Sequence, residues 1–377
     1  MLCGRLRRQC VRTATPPALD QAASHRHLPI IDLFTGDPMS APFALSLQDL
    51  APIAEGTSTV EAMGETVRLA QAADALGFNR LWYAEHHGMP SIASSVPEIL
   101  IGSAAAHTKS IRVGSGGVML LNHAPLRIAE AYRMLEALHP GRIDLGLGRA
   151  PGGDGYAMRA LRSGGGEEFS HYLAELMAFD EESFPPDHPF SRVPVSPGGI
   201  RLPPLWLLGS SGASAQAAGQ MGMGYAFAAH FSHTPPGPAF EAYRQSFTPV
   251  GAFEAPRTIL CVSAICAPTD EEAQYLSRSQ AVQWALFVTG EQRRLMSPEE
   301  AHKRVLTPQQ EAVVANQSTL WIVGSPQTVA DTIREKAASC AADEVMITTT
   351  THSYDDRIRS YGLIAKELGV TPREATH

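Results

Sequence analysis

"ALSLQDLAPIAEGTSTVEAMGETVRLAQAADALGFNRLWYAEHH", residues 44–87, decides between two α/β folds. It reads as strand, turn, helix, strand. "ALSLQDL" (44–50) is a first strand. "TVEAMGETVRLAQAADALG" (59–77) has helical spacing, with Val60, Met63, Val67 and Ala70 on one stripe and Gly77 as its stop. "FNRLWYAEHH" (78–87) is a second strand. A doubly wound dinucleotide-binding sheet needs a G-x-G-x-x-G turn after its first strand. The turn here is "APIAEGTS" (51–58), which has no such spacing.

The rest of the chain repeats the unit. Further strands are expected at 111–121, 142–150, 203–211, 224–231, 257–267 and 343–351. Their runs are apolar on both faces, as a parallel sheet covered on both sides requires. Helices are expected at 94–108, capped by Ser94 or Ser95 with Pro97 in the first turn, and at 124–141. Others are expected at 212–222, at 323–340 behind Ser325, and at 356–369. Eight strands with intervening helices predict an α/β fold of the TIM (β/α)8 barrel type. The Gly- and Pro-rich stretch 151–202, with one helical piece "HYLAELMAF", is an insertion after strand 4. The helical region 270–317 is an insertion near strand 7.

The barrel is expected to occupy 41–377. Residues 1–40 are expected to lie outside it. They open Arg-rich with no acid before Asp20, which reads as a targeting-like leader or as a misassigned start ahead of Met39. No apolar run approaches the ~18–20 residues that span a bilayer, so no membrane partner is expected. The net charge of −8 argues against nucleic acid as a partner. Five cysteines in 377 residues do not suggest a disulfide scaffold. Cys261 and Cys266, in an apolar run, read as buried thiols, and a cytoplasmic setting fits.

In this barrel type, chemistry sits where strands end at the carboxyl side. Those ends supply Gln48 and Asp49, Glu85-His86-His87, Asn122-His123, Gly148-Arg149, Gly209-Ser210-Ser211 and His230. The "EHH" triplet has no H-x-x-x-H helix and no H-x-H pair to complete a metal site, and no metal is expected. A rim imidazole suits proton transfer near neutral pH, and one of the two is expected to be structural, His87. "VGSGGVML" places Gly114, Gly116 and Gly117 inside a strand, which marks a bulge or the close approach of a flat ligand. "LLGSSGAS" exposes backbone N–H groups and two hydroxyls at a helix N-terminus, an arrangement suited to phosphate. Arg149 could add a guanidinium clamp, or a surface ion pair. The bulge, the cradle and the arginine together suggest a flat phosphorylated cofactor over the mouth, and FMN fits.

"WYAEHHGMPSIASSVPEILIG", "IRVGSGGVMLLNHAPLRIAE", "LEALHPGRIDLGLGRAPGGD" and "VGSPQTVADTI" resemble the bacterial luciferase-like flavin-dependent monooxygenases, closest to their single-chain oxidoreductases. The resemblance runs from about Ala44 to Leu368. It implies an oxygenase that takes reduced FMN and O2 to a small organic substrate. NAD(P)H is then the indirect donor, through a separate flavin reductase, and a homodimer is expected. By position His86 matches the general base and Glu85 its neighbour on the flavin side. Gly116 and Gly117 match a cis-peptide bulge behind the flavin ring. Arg149, Gly209, Ser210 and Ser211 match the phosphate grip. Two departures stand out: Gly148 where luciferase has a reactive cysteine, and Ala213 where a threonine is expected. A deazaflavin- or NAD(P)H-linked hydride transferase on the same fold is the alternative. A metal-dependent hydrolase built on the histidines is more distant.

Overall fold

In the computed structural model, residues 41–373 are described; the extension expected at 1–40 lies outside them. The strands are β1 Ala44–Asp49, β2 Arg80–Tyr83, β3 Arg112–Ser115, β4 Val118–Met119 and β5 Ile143–Gly148. They continue with β6 Leu205–Gly209, β7 Gly224–Ala228, β8 Thr258–Cys266, β9 Trp321–Gly324 and β10 Glu344–Thr348. Pairing is parallel in the order β1, β2, β3, β5, β6, β7, β8, β10, and β10 returns to β1 with Ala44 opposite Glu344. These eight close the barrel that the repeat of strands and helices predicts.

Among the described residues ten strands stand where eight were expected, because one expected strand is split and one strand is additional. β4 is the upper piece of the third expected strand, which is not continuous. Five steps from Val113 to Val118 match four from Ile143 to Leu147, so the third strand carries one extra residue. β9 pairs with the upper half of β8, while the lower half of β8 pairs with β10. A helix at Pro236–Ser246 was also not expected; Pro at its first positions and only three buried residues gave little periodic signal.

The outward faces form the main core. Ile143, Leu145 and Leu147 alternate with the inward Asp144, Gly146 and Gly148. The first helix, Thr59–Leu76, starts at a Ser58–Glu61 capping box and ends at Gly77 with φ 91°. Its buried stripe is Ala62, Thr66, Leu69, Ala70 and Ala73 rather than the one containing Val60 and Val67; Val60 is exposed. Most of this stripe is small, so residue size was a poor guide to the buried face. The second helix, Pro97–His107, is entered through Val96, without the expected serine cap. Ser94 instead donates to Ala84 O at 2.5 Å and ties the end of β2.

Inside the barrel, the amino-terminal end is filled. Arg80 bonds Glu344 Oε1 at 2.7 Å and Asp144 Oδ2 at 2.8 Å, with its guanidinium 4.8 Å from the Trp206 ring. Trp82 and Trp206 pack edge to face at 5.5 Å above it. The carboxyl end is lined by small inward residues: Gly116, Gly148, Ala228, Ser263 and Thr348. The insertion at 151–202 carries helices Gly155–Leu161 and Phe169–Glu181, and the one after β8 carries Asp270–Val288, Pro298–Lys303 and Pro308–Ser318.

Candidate active site

Past Tyr83 the second strand leaves the sheet. His86 N donates to Ser94 O and His87 N to Gly152 O, both at 2.8 Å. Gly152, at φ 69°, has no room for a side chain, because a Cβ would sit 2.8 Å from Glu85 O. Glu85 is fully buried and not on the open mouth. Its Oε1 meets His87 Nε2 at 2.8 Å, His123 Nε2 at 2.9 Å and Asn122 Nδ2 at 3.2 Å; its Oε2 accepts Met119 N–H at 2.9 Å. Burial alone would raise this carboxyl, but the bonds from His123, His87 and Met119 outweigh it and hold it below its ordinary value. Burial likewise opposes protonation of His123, yet the bonded Glu85 charge raises that imidazole. The sequence placed Glu85 beside the flavin; the geometry makes it the centre of a buried knot. His87 belongs to that knot.

His86 stands apart from it. Among the described residues its side chain makes no hydrogen bond, and its Nδ1 is buried without a partner. Burial, only partly offset by the nearby Glu85 charge, pulls this imidazole down to about 4, so it is neutral at pH 7. His230, beyond β7, also has a buried Nδ1 without a partner among the described residues, but its ring engages the Cys261 backbone; burial outweighs that bond and lowers it to about 4.

The peptide between Gly116 and Gly117 is cis. Gln48 Nε2 donates to Gly116 O at 2.5 Å and fixes this turn at the rim. A Cβ on Gly117 would lie 2.8 Å from Gly146 O, so that glycine is required by the neighbouring strand whatever else approaches. Asp49 takes no part in the mouth; it turns to Ala51 N and Arg357, each through Oδ1.

Arg149 follows β5 directly. It is exposed and, among the described residues, makes no hydrogen bond or ion pair. The register Leu147 with Leu207, continued by two residues, sets Arg149 level with Gly209. Ser211 is the N-cap of helix Gly212–Gln220 and its side chain makes no capping bond there; it meets only Ser214 Oγ, at 3.3 Å. Free guanidinium, serine hydroxyls and open helix N–H groups therefore stand side by side. No cluster of three or more metal-ligating side chains occurs among the described residues.

Ser263 and Gln280 were missed in the sequence, and Ser94 was expected as a helix cap rather than as the tie on β2. Gln280 Nε2 donates to Ser263 Oγ at 3.1 Å, bringing the later insertion onto β8 at the mouth. Neither residue sits in a motif, and their contact depends on how the insertion folds back.

The sequence model of the family described as luciferase-like monooxygenase matches residues 42–343. The chain is 42% identical over 324 residues to the uncharacterized protein YvbT of Bacillus subtilis (strain 168), a match covering 85% of this chain and 95% of the relative. It is 39% identical over 323 residues to a luciferase-like monooxygenase of Escherichia coli (strain K12), with the same two shares of 85% and 95%. The crystal structure of apo-MsnO8 is similar at 36% identity and a TM-score of 0.78, over 88% of this chain and all of that one.

Proposed function

Since the chain belongs to the luciferase-like monooxygenase family, we propose that it is an FMN-dependent oxygenase acting on a small organic substrate. Reduced FMN would come from a separate flavin reductase fed by NAD(P)H. One atom of O2 enters the substrate and the other leaves as water, using two electrons and two protons. The observation that carries this reading is the unpaired Arg149 level with Gly209, Ser210 and Ser211 at an open helix N-terminus. Those residues would hold the phosphate.

When bound, reduced flavin supplies the electrons that activate O2. The chain supplies the rest. The Gly116–Gly117 turn, held by Gln48, would back the ring. His86, neutral at pH 7 with a vacant Nδ1, would take or give a proton at that atom. Glu85 would position it by clamping the ends of β2 and β4 together. Small and apolar residues at the rim keep water from the reacting atoms. Ile99, Met134 and Leu138, exposed on helices Pro97–His107 and Pro125–Leu138, support a homodimer. Free, buried Cys261, Cys266 and Cys340 are in keeping with a reducing cytoplasm.

The test is a substrate screen with FMN, a flavin reductase, NADH and 18O2. Product carrying one 18O atom supports the reading. Turnover that proceeds unchanged without O2 would contradict it and favour hydride transfer.

A further inference from the structure

In the ring of eight strands, β2 and β7 are four places apart, directly opposite each other. Each is followed within three residues by a histidine, His86 and His230, whose Nδ1 is buried and without a partner among the described residues. Their strands end on opposite walls, so the two residues converge on the mouth from either side, and charge on His86 disfavours charge on His230.

The proposed flavin cradle uses the ends of β3, β5 and β6. The ends of β7, β8 and β10 remain. Residues 228–233, 261–267 and 346–352 contain no Asp, Glu, Lys or Arg. Two buried polar atoms there lack a partner among the described residues, His230 Nδ1 and the Oε1 of Gln280, whose Nε2 donates to Ser263 Oγ; His233 and His352 in the same segments are bonded to Asn316 and to Glu55 O. A buried polar atom without a partner is costly until a ligand satisfies it. A neutral donor–acceptor group would complete these bonds.

We propose that this half of the mouth is the substrate subsite, that His230 binds substrate opposite His86, and that the substrate presents an uncharged polar group, such as an amide, carbonyl or hydroxyl, to the two imidazoles. The assignment of this half to substrate rests on the flavin reading; the convergence of the imidazoles does not.

The test uses the full chain labelled with 15N-histidine at pH 8, with His86 and His230 resonances assigned through H86N and H230N. Acetamide and acetate, equal in shape and different in charge, are titrated with and without FMN. Acetamide is expected to shift both imidazoles at a concentration at least tenfold below that needed by acetate. In H230N, or H230Q as a second variant, the response of His86 to acetamide should weaken at least fivefold. Equal or stronger action of acetate, an unchanged His86 response in both variants, or no response to either probe overturns the subsite. FMN binding is followed by visible absorbance in the same samples. Loss of FMN binding with the acetamide response intact defeats the flavin reading alone, and the reverse defeats the subsite alone.

Discussion

His123 Nε2 lies 2.9 Å from Glu85 Oε1, across 38 residues of chain. Through that carboxylate the ends of β2 and β4 are tied together. Asn122 extends the tie by donating also to Pro151 O at 3.0 Å, two residues beyond Arg149. One buried acid thus joins the backbone that carries His86 to the loop that carries Arg149. Replacing Glu85 by Ala strands three side-chain donors and one backbone N–H. The expected loss is about 2–4 kcal/mol of unfolding free energy, with Glu85→Gln losing less. Chemical denaturation measures it; a loss within error of zero would contradict the knot.

Among the described residues Arg149 has no partner to lose. Arg149→Ala should leave stability within about 0.5 kcal/mol. It should weaken FMN by about 10–100-fold, the worth of a charge-assisted contact, and riboflavin by little. Equal losses for the two flavins would remove the phosphate role.

His86 is predicted to act in chemistry rather than in cofactor affinity. His86→Asn should keep reduced FMN affinity within about threefold while oxygenated product per flavin oxidised falls by about 100-fold. Undiminished product yield would show that the proton is handled elsewhere.

Acid should destabilise the fold. His86 and His230 sit at about 4, below the ordinary imidazole value of 6.5. As pH falls below 6.5 the unfolded chain takes up protons that the folded one refuses, so stability is full above that point and lost down to about 4. His123, raised by Glu85, works in the opposite direction over part of the range, and two lowered groups outweigh it. Melting temperature is expected to fall by several degrees from pH 7 to pH 4.5, and less steeply in His86→Asn and His230→Asn. An unchanged slope in both variants would place the acid sensitivity elsewhere.

Much of this was legible in the chain because the signals are local. Strand and helix periods, the missing dinucleotide turn and the glycines before Val118 each lie within a few residues, and they led to the barrel and its bulge. The helix face was misread because Val60 and Val67 are large, whereas the buried face is made mostly of smaller residues such as Ala62, Thr66 and Ala73. The environment of Glu85 was not legible, since its partners include His123, Asn122 and Met119 from another strand. The same holds for Gln280, which reaches Ser263 only after the insertion folds back over the mouth.

The most direct measurement is an anaerobic equilibrium titration of the purified chain with reduced FMN and, in parallel, reduced riboflavin. Saturable binding of one FMN per chain, at least tenfold tighter than riboflavin, is the predicted result. No binding of reduced FMN, or equal affinity for the two flavins, would contradict the claim that this barrel mouth is a phosphate-anchored flavin site.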